Sequence, residues 1–228
     1  ATNAYELPVV SVVTVTPTAN SCVGNSTSFT FTVNPTPMLS SSLTGVVCDS
    51  DLFSYTLTSN TPGTTFTWNR DVVAGISNAA ANGTNTINEY LQNTTPDPIV
   101  VTYVDSLWAN GCVNTQNVLV TVNPTPTLSS GLNVPAICDN TTFTYNPTSL
   151  TAGTTFSWTR DTVTGISNGA GLGTGGVSEV LDNTTASPIV VTYVYKLIAN
   201  GCINSEEVKV VVNSNTSLSR SLSHHEVC

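Results

Sequence analysis

Apolar and polar positions alternate in short runs along this chain, and the runs recur in a fixed order. Residues 142–145 and 154–158 alternate over a few positions each, parted by Asn-Pro and Ala-Gly turn chemistry, so both read as strands. Residues 177–181 predict another. The clearest signal is a long run over 189–199, then Asn200-Gly201, then a second run over 202–212. Asn-Gly between two such runs predicts a hairpin, because both residues tolerate the positive φ that a tight turn requires. Between these elements, residues 165–176 are so rich in glycine that they are expected to form a shaped loop without regular structure.

The same order appears twice. Residues 48–123 laid on 138–213 at a shift of 90 give 44 identities in 76 positions. A unit of about 90 residues can bury a small core of its own, so each copy is expected to be an autonomous domain. Short strands, frequent turns and no helical periodicity predict an all-β chain: tandem immunoglobulin-like antiparallel β-sandwich modules in a linear array. Asn-Pro-Thr-Pro at 34–37 and 123–126 marks the joints, and two prolines in three residues make a stiff linker. The third joint, 213–216, lacks proline and is expected to bend more. Ala19-Asn20-Ser21-Cys22 matches Ala109-Asn110-Gly111-Cys112, and 218–228 overlies 128–138. The expected domains are therefore 1–34, the C-terminal part of a preceding repeat; 35–123 and 124–213, complete repeats; and 214–228, the start of a following one. On this reading the chain is an excerpt from a longer array. Head-to-tail assembly, in which one chain's start completes another's tail, is the alternative.

Composition narrows the partners. With 39% hydrophobic and 8% charged residues the chain is foldable but nearly uncharged. Its net charge of −9, with five basic residues thinly spread, argues against nucleic acid and anionic membrane. No apolar run is long enough for a membrane span.

The cysteines are expected to pair within each repeat. Cys48 and Cys112 are 64 residues apart, as are Cys138 and Cys202, without the close spacing of zinc ligands. Cys48–Cys112 and Cys138–Cys202 disulfides are therefore expected, each worth roughly 4 kcal/mol in the chain-entropy model. They imply an oxidising, extracytoplasmic compartment. Cys22 and Cys228 are left partnerless at the two ends.

Other candidate groups read as structural. Phe66 and Trp68, like Phe156 and Trp158, are two residues apart on a strand and share a core face. Arg70-Asp71 with Glu89, and Arg160-Asp161 with Glu179, recur without any nucleophile or histidine and are expected to be ion pairs or turn caps. No catalytic, cofactor or metal site is assigned. Asp49, Asp51, Asp97, Asp139 and Asp182 lack the close alternation of a calcium loop, and His224 and His225 have no counterpart in the full repeats. A lysine–asparagine isopeptide is excluded from the first repeat, because residues 37–125 contain no lysine.

The motif series carries a resemblance: Phe-x-Tyr, Gly-Thr-Thr-Phe-x-Trp-x-Arg, Gly-Ile-Ser-Asn, Glu-x-Leu-x-Asn-Thr-Thr, Val-Thr-Tyr-Val and Ala-Asn-Gly-Cys. It resembles the PKD-like, immunoglobulin-like repeats of giant Bacteroidota cell-surface adhesins, the SprB-like gliding-motility adhesins among them. The resemblance implies a non-enzymatic, surface-tethered filament exported by the type IX route, whose partners are neighbouring repeats and surface polysaccharide or abiotic surfaces. It also implies O-glycosylation at Ser106 in Asp105-Ser106-Leu107 and at Thr162 in Asp161-Thr162-Val163. The alternatives are spacer modules of a secreted polysaccharide-degrading enzyme and a self-assembling extracellular fibre. Asn-x-Ser/Thr triplets at Asn25, Asn82, Asn93, Asn140, Asn183 and Asn215 become glycan acceptors only in a host with the matching machinery.

Overall fold

The computed structural model describes residues 2–215, and Cys228, His224 and His225 lie outside them. The described residues contain strands and turns and no helix, so the all-β expectation holds. The chain divides into two compact units, Ala1–Asn123 and Pro124–Cys228.

The first unit opens with β1 (Val9–Val15), β2 (Thr18–Ala19), β3 (Cys22–Val23) and β4 (Thr27–Val33). Its sandwich comprises β5 (Thr44–Cys48), β6 (Leu52–Thr56), β7 (Thr65–Arg70), β8 (Ala81–Thr84), β9 (Thr86–Tyr90), β10 (Ile99–Ala109) and β11 (Cys112–Asn123). One sheet runs β5-β11-β10-β7-β8 and the other is the pair β6-β9. Phe53 and Ile87 from the small sheet meet Trp68, Tyr103, Leu107, Val118 and Val120 from the large one in a single core. This is the arrangement of an immunoglobulin-like sandwich. It departs from expectation at one point: β5 joins β11 in parallel, Cys48 standing opposite Asn123.

In the second unit, β12 (Ile137–Cys138), β13 (Thr141–Tyr145), β14 (Thr155–Arg160), β15 (Gly171–Thr174), β16 (Val177–Leu181), β17 (Ile189–Ala199) and β18 (Cys202–Asn213) repeat the scheme. The sheets are β12-β18-β17-β14-β15 and β13-β16, and β12 again pairs in parallel with β18.

Both long hairpins turn at Asn-Gly with positive φ at each residue, as the sequence predicts. The hairpin β1-β4 repeats their register. Val13 faces Phe29 as Tyr103 faces Val118, and Ser11 faces Phe31 as Val101 faces Val120. The burial differs sharply: Phe29 and Phe31 are 55% and 39% exposed, whereas Val118 and Val120 are 0%.

The glycine-rich stretch corrects an expectation. Residues 171–174 form a strand, paired with β14 from Ser157↔Thr174 to Arg160↔Gly171. The reason lies in Trp158, whose indole covers Gly173 so closely that an added Cβ would sit 2.8 Å from the ring. Gly83 does the same beneath Trp68, at 2.7 Å. Glycine here makes room for an aromatic ring on a regular strand, a close approach that outweighs its low strand propensity. Gly83→Val and Gly173→Val are each expected to displace the indole and destabilise their unit by roughly 1–3 kcal/mol, read as a lowered urea midpoint for one of two unfolding transitions. An unchanged midpoint would mean that the ring does not need the glycine.

Candidate functional site

The most constrained cluster in each unit is a buried ion pair joining the two sheets. In the first, alternation along β7 turns Phe66, Trp68 and Arg70 inward, and along β9 it turns Ile87 and Glu89 inward. The Arg70 side chain is 1% exposed. Its Nε donates to Glu89 Oε2 and its Nη2 to Oε1, both at 2.9 Å, a two-pronged pair. Nη2 also donates to the Ala79 carbonyl at 2.6 Å and Nη1 to that of Asp71 at 3.2 Å. Tyr103 on β10 completes the set by donating its hydroxyl to Glu89 Oε2 at 2.6 Å. Arg160, Glu179 and Tyr193 repeat this at 2.9, 3.2 and 2.7 Å, with Gly169 and Asp161 supplying the carbonyls.

Burial opposes ionisation of Glu89, but the hydrogen bonds from Arg70 and Tyr103 outweigh it and hold the carboxyl below its ordinary value. The same balance lowers Glu179. Burial, with Glu89 as acceptor, drives the Tyr103 phenol well above its usual range. A carboxylate fixed as an anion by three donors cannot serve as a general acid, so the cluster is a lock. Trp68 stands edge-on to Tyr103, at 5.7 Å and 73°, and donates its indole N–H to the Thr86 carbonyl. The ring thus packs on a tyrosine inside the core, on the face that the strand alternation predicts.

A second recurring device is Asn93, whose amide donates to the carbonyls of Asp97 and Val122 and accepts from Thr95 N and Oγ1. Asn183 does this with Ser187, Val212 and Thr185. With both amide hydrogens committed and the side chain buried, neither is a glycan acceptor. Asp49 and Asp139 accept the backbone N–H of Asn93 and Asn183. Among the described residues, no group of three or more His, Cys, Asp or Glu could hold a metal ion.

The cysteine pairing overturns the expected one. Cys112 and Cys138 are free, as is Cys22, whereas Cys48 and Cys202 are disulfide-bonded. The geometry of each unit explains why the pairs Cys48–Cys112 and Cys138–Cys202 do not form. Cys48 is in register with Asn123, at one end of β11, and Cys112 begins that strand. Eleven residues of extended chain span roughly 35 Å, whereas a disulfide requires Cα atoms within about 7 Å. Cys138 opposite Asn213, with Cys202 at the start of β18, repeats the separation. Each repeat therefore carries one cysteine at each end.

Of the residues expected to be glycosylated, Ser106 is half-buried in mid-β10 and Thr162 is exposed just after β14. Ser106 follows a buried carboxylate. Asp105 is 0% exposed, and neither carboxylate oxygen has a hydrogen-bond partner. Burial raises its pKa to about 6. The second repeat has Tyr195 at this position, packed on Tyr145 at 5.4 Å. Trp108 was missed: it is 61% exposed and faces outward opposite Val113.

The fold is that of tandem immunoglobulin-like, antiparallel β-sandwich repeats. The family model for the PKD-like domain matches residues 45–126, and no curated protein matches the chain. Among solved structures the chain is similar to extracellular domains 3–5 of Drosophila OTK, with TM-score 0.40 and 14% identity over 82% of this chain and 67% of that one. It is similar to titin domains I67–I69, at 0.40 and 11% over 85% and 72%. An endo-fucoidan hydrolase of glycoside hydrolase family 107 gives 0.30 and 11% over 91% and 34%.

Two outcomes follow. Arg70→Met or Glu89→Gln strands one partner and is expected to cost roughly 3–5 kcal/mol, while Arg70→Met with Glu89→Leu costs far less; equal losses in urea titrations of the single and double variants would contradict the lock. Asp105 and Glu89 also pull in opposite directions with pH. Because the folded pKa of Asp105 is raised, its contribution to stability is complete below the ordinary carboxylate range and is lost as pH rises through about 6. The lowered Glu89 contributes above the ordinary carboxylate value, and its contribution is lost as pH falls through the folded one. The first unit is thus expected to be more stable at pH 5 than at pH 7, a gain that Asp105→Leu removes while raising pH 7 stability by roughly 1–3 kcal/mol. Calorimetry at the two pH values reads both effects.

Proposed function

We propose that the chain is a structural and adhesive stalk segment of a large, repetitive bacterial cell-surface adhesin, non-enzymatic and extracellular, of the kind that serves gliding motility. The observation that carries this reading is which side chains the two repeats share. The Arg–Glu–Tyr lock, the buried asparagine and the cysteine at each end recur 90 residues apart, whereas several outward residues of the large sheet change in size or charge, as in Ser106 to Lys196, Trp108 to Ile198 and Leu119 to Lys209. What is kept resists unfolding; what varies meets the surroundings. The disulfide-bonded cysteines support an oxidising compartment, and export by the type IX route follows from the resemblance alone.

Residues 1–34 supply the closing hairpin of a further repeat in this reading. The register of β1-β4 and its exposed Phe29 and Phe31 support that assignment. The partners are neighbouring repeats and polysaccharide or abiotic surfaces, held by many weak contacts that sum through multivalency. O-glycosylation at Thr162 is compatible with its exposure, and at Ser106 it is disfavoured because Asp105, half of the motif, points into the core. Beads coated with the chain are expected to adhere to polysaccharide or glass with a strength that climbs steeply with coating density, releasing no sugar. Adhesion no better than that of bare beads at every density would overturn the adhesive half of the proposal and favour a spacer in a polysaccharide-degrading enzyme.

A further inference from the structure

We infer that the outward face of the large sheet in the first unit, centred on Trp108, docks a neutral polysaccharide. The indole stacks on a sugar ring while rows of hydroxyl and amide side chains beside it exchange hydrogen bonds with the sugar hydroxyls. The adhesive reading above underlies this assignment, which adds to it one face and the chemistry of its partner.

Strand register builds the face. Phe66, Trp68, Tyr103, Asp105 and Leu107 point into the core, so the residues between them on β7 and β10 point outward. Ser106 stands opposite Thr67 on β7 and Thr115 on β11, and Thr67 opposite Thr84 on β8, so four hydroxyl side chains line up across four strands. Two positions further along β10, Trp108 lies between Thr65 and Val113. Two positions in the other direction, Asn82, Asn69 and Asn117 share a row with Val104. With strands about 4.8 Å apart and rows about 7 Å apart, these positions make a grid roughly 14 Å on each side. More than one sugar ring fits on it.

The side chains of the grid select the partner. Trp108 is 61% exposed, whereas Trp68 and Trp158 are 7% and 8% exposed within their cores. An indole is an apolar plate, and the C–H side of a pyranose ring covers it while the ring's hydroxyls project from the edge. Hydroxyl and amide side chains both donate and accept, as sugar hydroxyls do, so the neighbouring rows match that edge. No charged residue stands in the three rows, and the chain carries a net charge of −9, so an anionic polysaccharide finds no cation there and is repelled at long range. A second copy of the chain would need a wider apolar centre than Trp108 and Val113 provide. The second repeat has lost these features: Ile198 stands for Trp108, Lys196 for Ser106 and Glu207 for Asn117.

The test is affinity electrophoresis of the full chain in native gels cast with hydroxyethylcellulose, galactomannan or alginate. At least one of the two neutral polymers is expected to retard the chain more than alginate does. Trp108→Ala is expected to weaken that retardation roughly tenfold in apparent affinity, and Trp108→Phe to keep most of it. The Ala variant keeps the wild-type urea midpoint, because the ring it removes lies outside the core. In solution the neutral polymer shields the wild-type chain's exposed indole from acrylamide quenching, a protection absent from the Ala variant. Passage unretarded through both neutral gels, equal retardation of wild type and Trp108→Ala, or stronger retardation by alginate would overturn the assignment. So would sedimentation in which Trp108→Ala dissolves a dimer of the chain, since the face then belongs to a second copy. Glass offers no sugar, so coated beads that hold to glass while the chain passes the neutral gels unretarded sink this assignment alone; beads that hold to nothing sink the adhesive reading, and retardation in the gels is read separately.

Discussion

A guanidinium cannot rest inside a sandwich of this size without an anion, and that constraint organises each repeat. Arg70 has four of its donor contacts satisfied by Glu89, Ala79 and Asp71, so its burial is tolerated only while β9 presents Glu89 to it. Because side chains alternate with a period of two, fixing Glu89 inward also fixes Ile87 inward, and fixing Arg70 does the same for Phe66 and Trp68. A slip of one residue on either strand would bury the wrong face and break the pair together. The small sheet has only two strands, too few to be stable alone, and this tether ties it to the large one in a single register.

The two carboxylates of the first core show how far environment decides chemistry. Glu89 and Asp105 are both removed from water, yet three donors hold one as a stable anion while none reaches the other. Asp105 is a local weakness; in the second repeat Tyr195 fills the position with a ring packed on Tyr145, and its hydroxyl is likewise buried without a hydrogen-bond partner. The fold tolerates the defect because the lock and the apolar layer around it are intact. Marginal stability leaves room for one such cost.

Much of this was legible in the sequence, and the failures have identifiable causes. Alternation and Asn-Gly turns place β10, β11, β17 and β18 within a residue or two, since these are local signals. The Arg–Glu pair is legible because it recurs in both copies without any partner suited to catalysis. The glycine-rich stretch misleads because propensity describes a residue alone, and Gly173 owes its strand to a tryptophan 15 positions away. The cysteines mislead for a deeper reason. Two cysteines in one domain imply proximity only if the strand order brings them together, and here β5 runs parallel to β11, which puts Cys48 beside that strand's end instead of its start. Nothing local in residues 44–48 encodes the direction of their partner.

Divergence between the copies bears on the proposed adhesive role. Had adhesion relied on one binding site stamped into every repeat, the outward face of the large sheet would be the part kept. Instead Trp108 gives way to Ile198, Ser106 to Lys196 and Leu119 to Lys209, changing aromatic character and charge on that face. The interior lock and the cysteine positions survive the same divergence intact. A repeated interior under a varied exterior is what selection for cohesion produces when contact chemistry is left free. Under the proposed adhesive role, multivalent attachment would rest on the sum of unlike weak faces, a sum available only while every repeat stays folded.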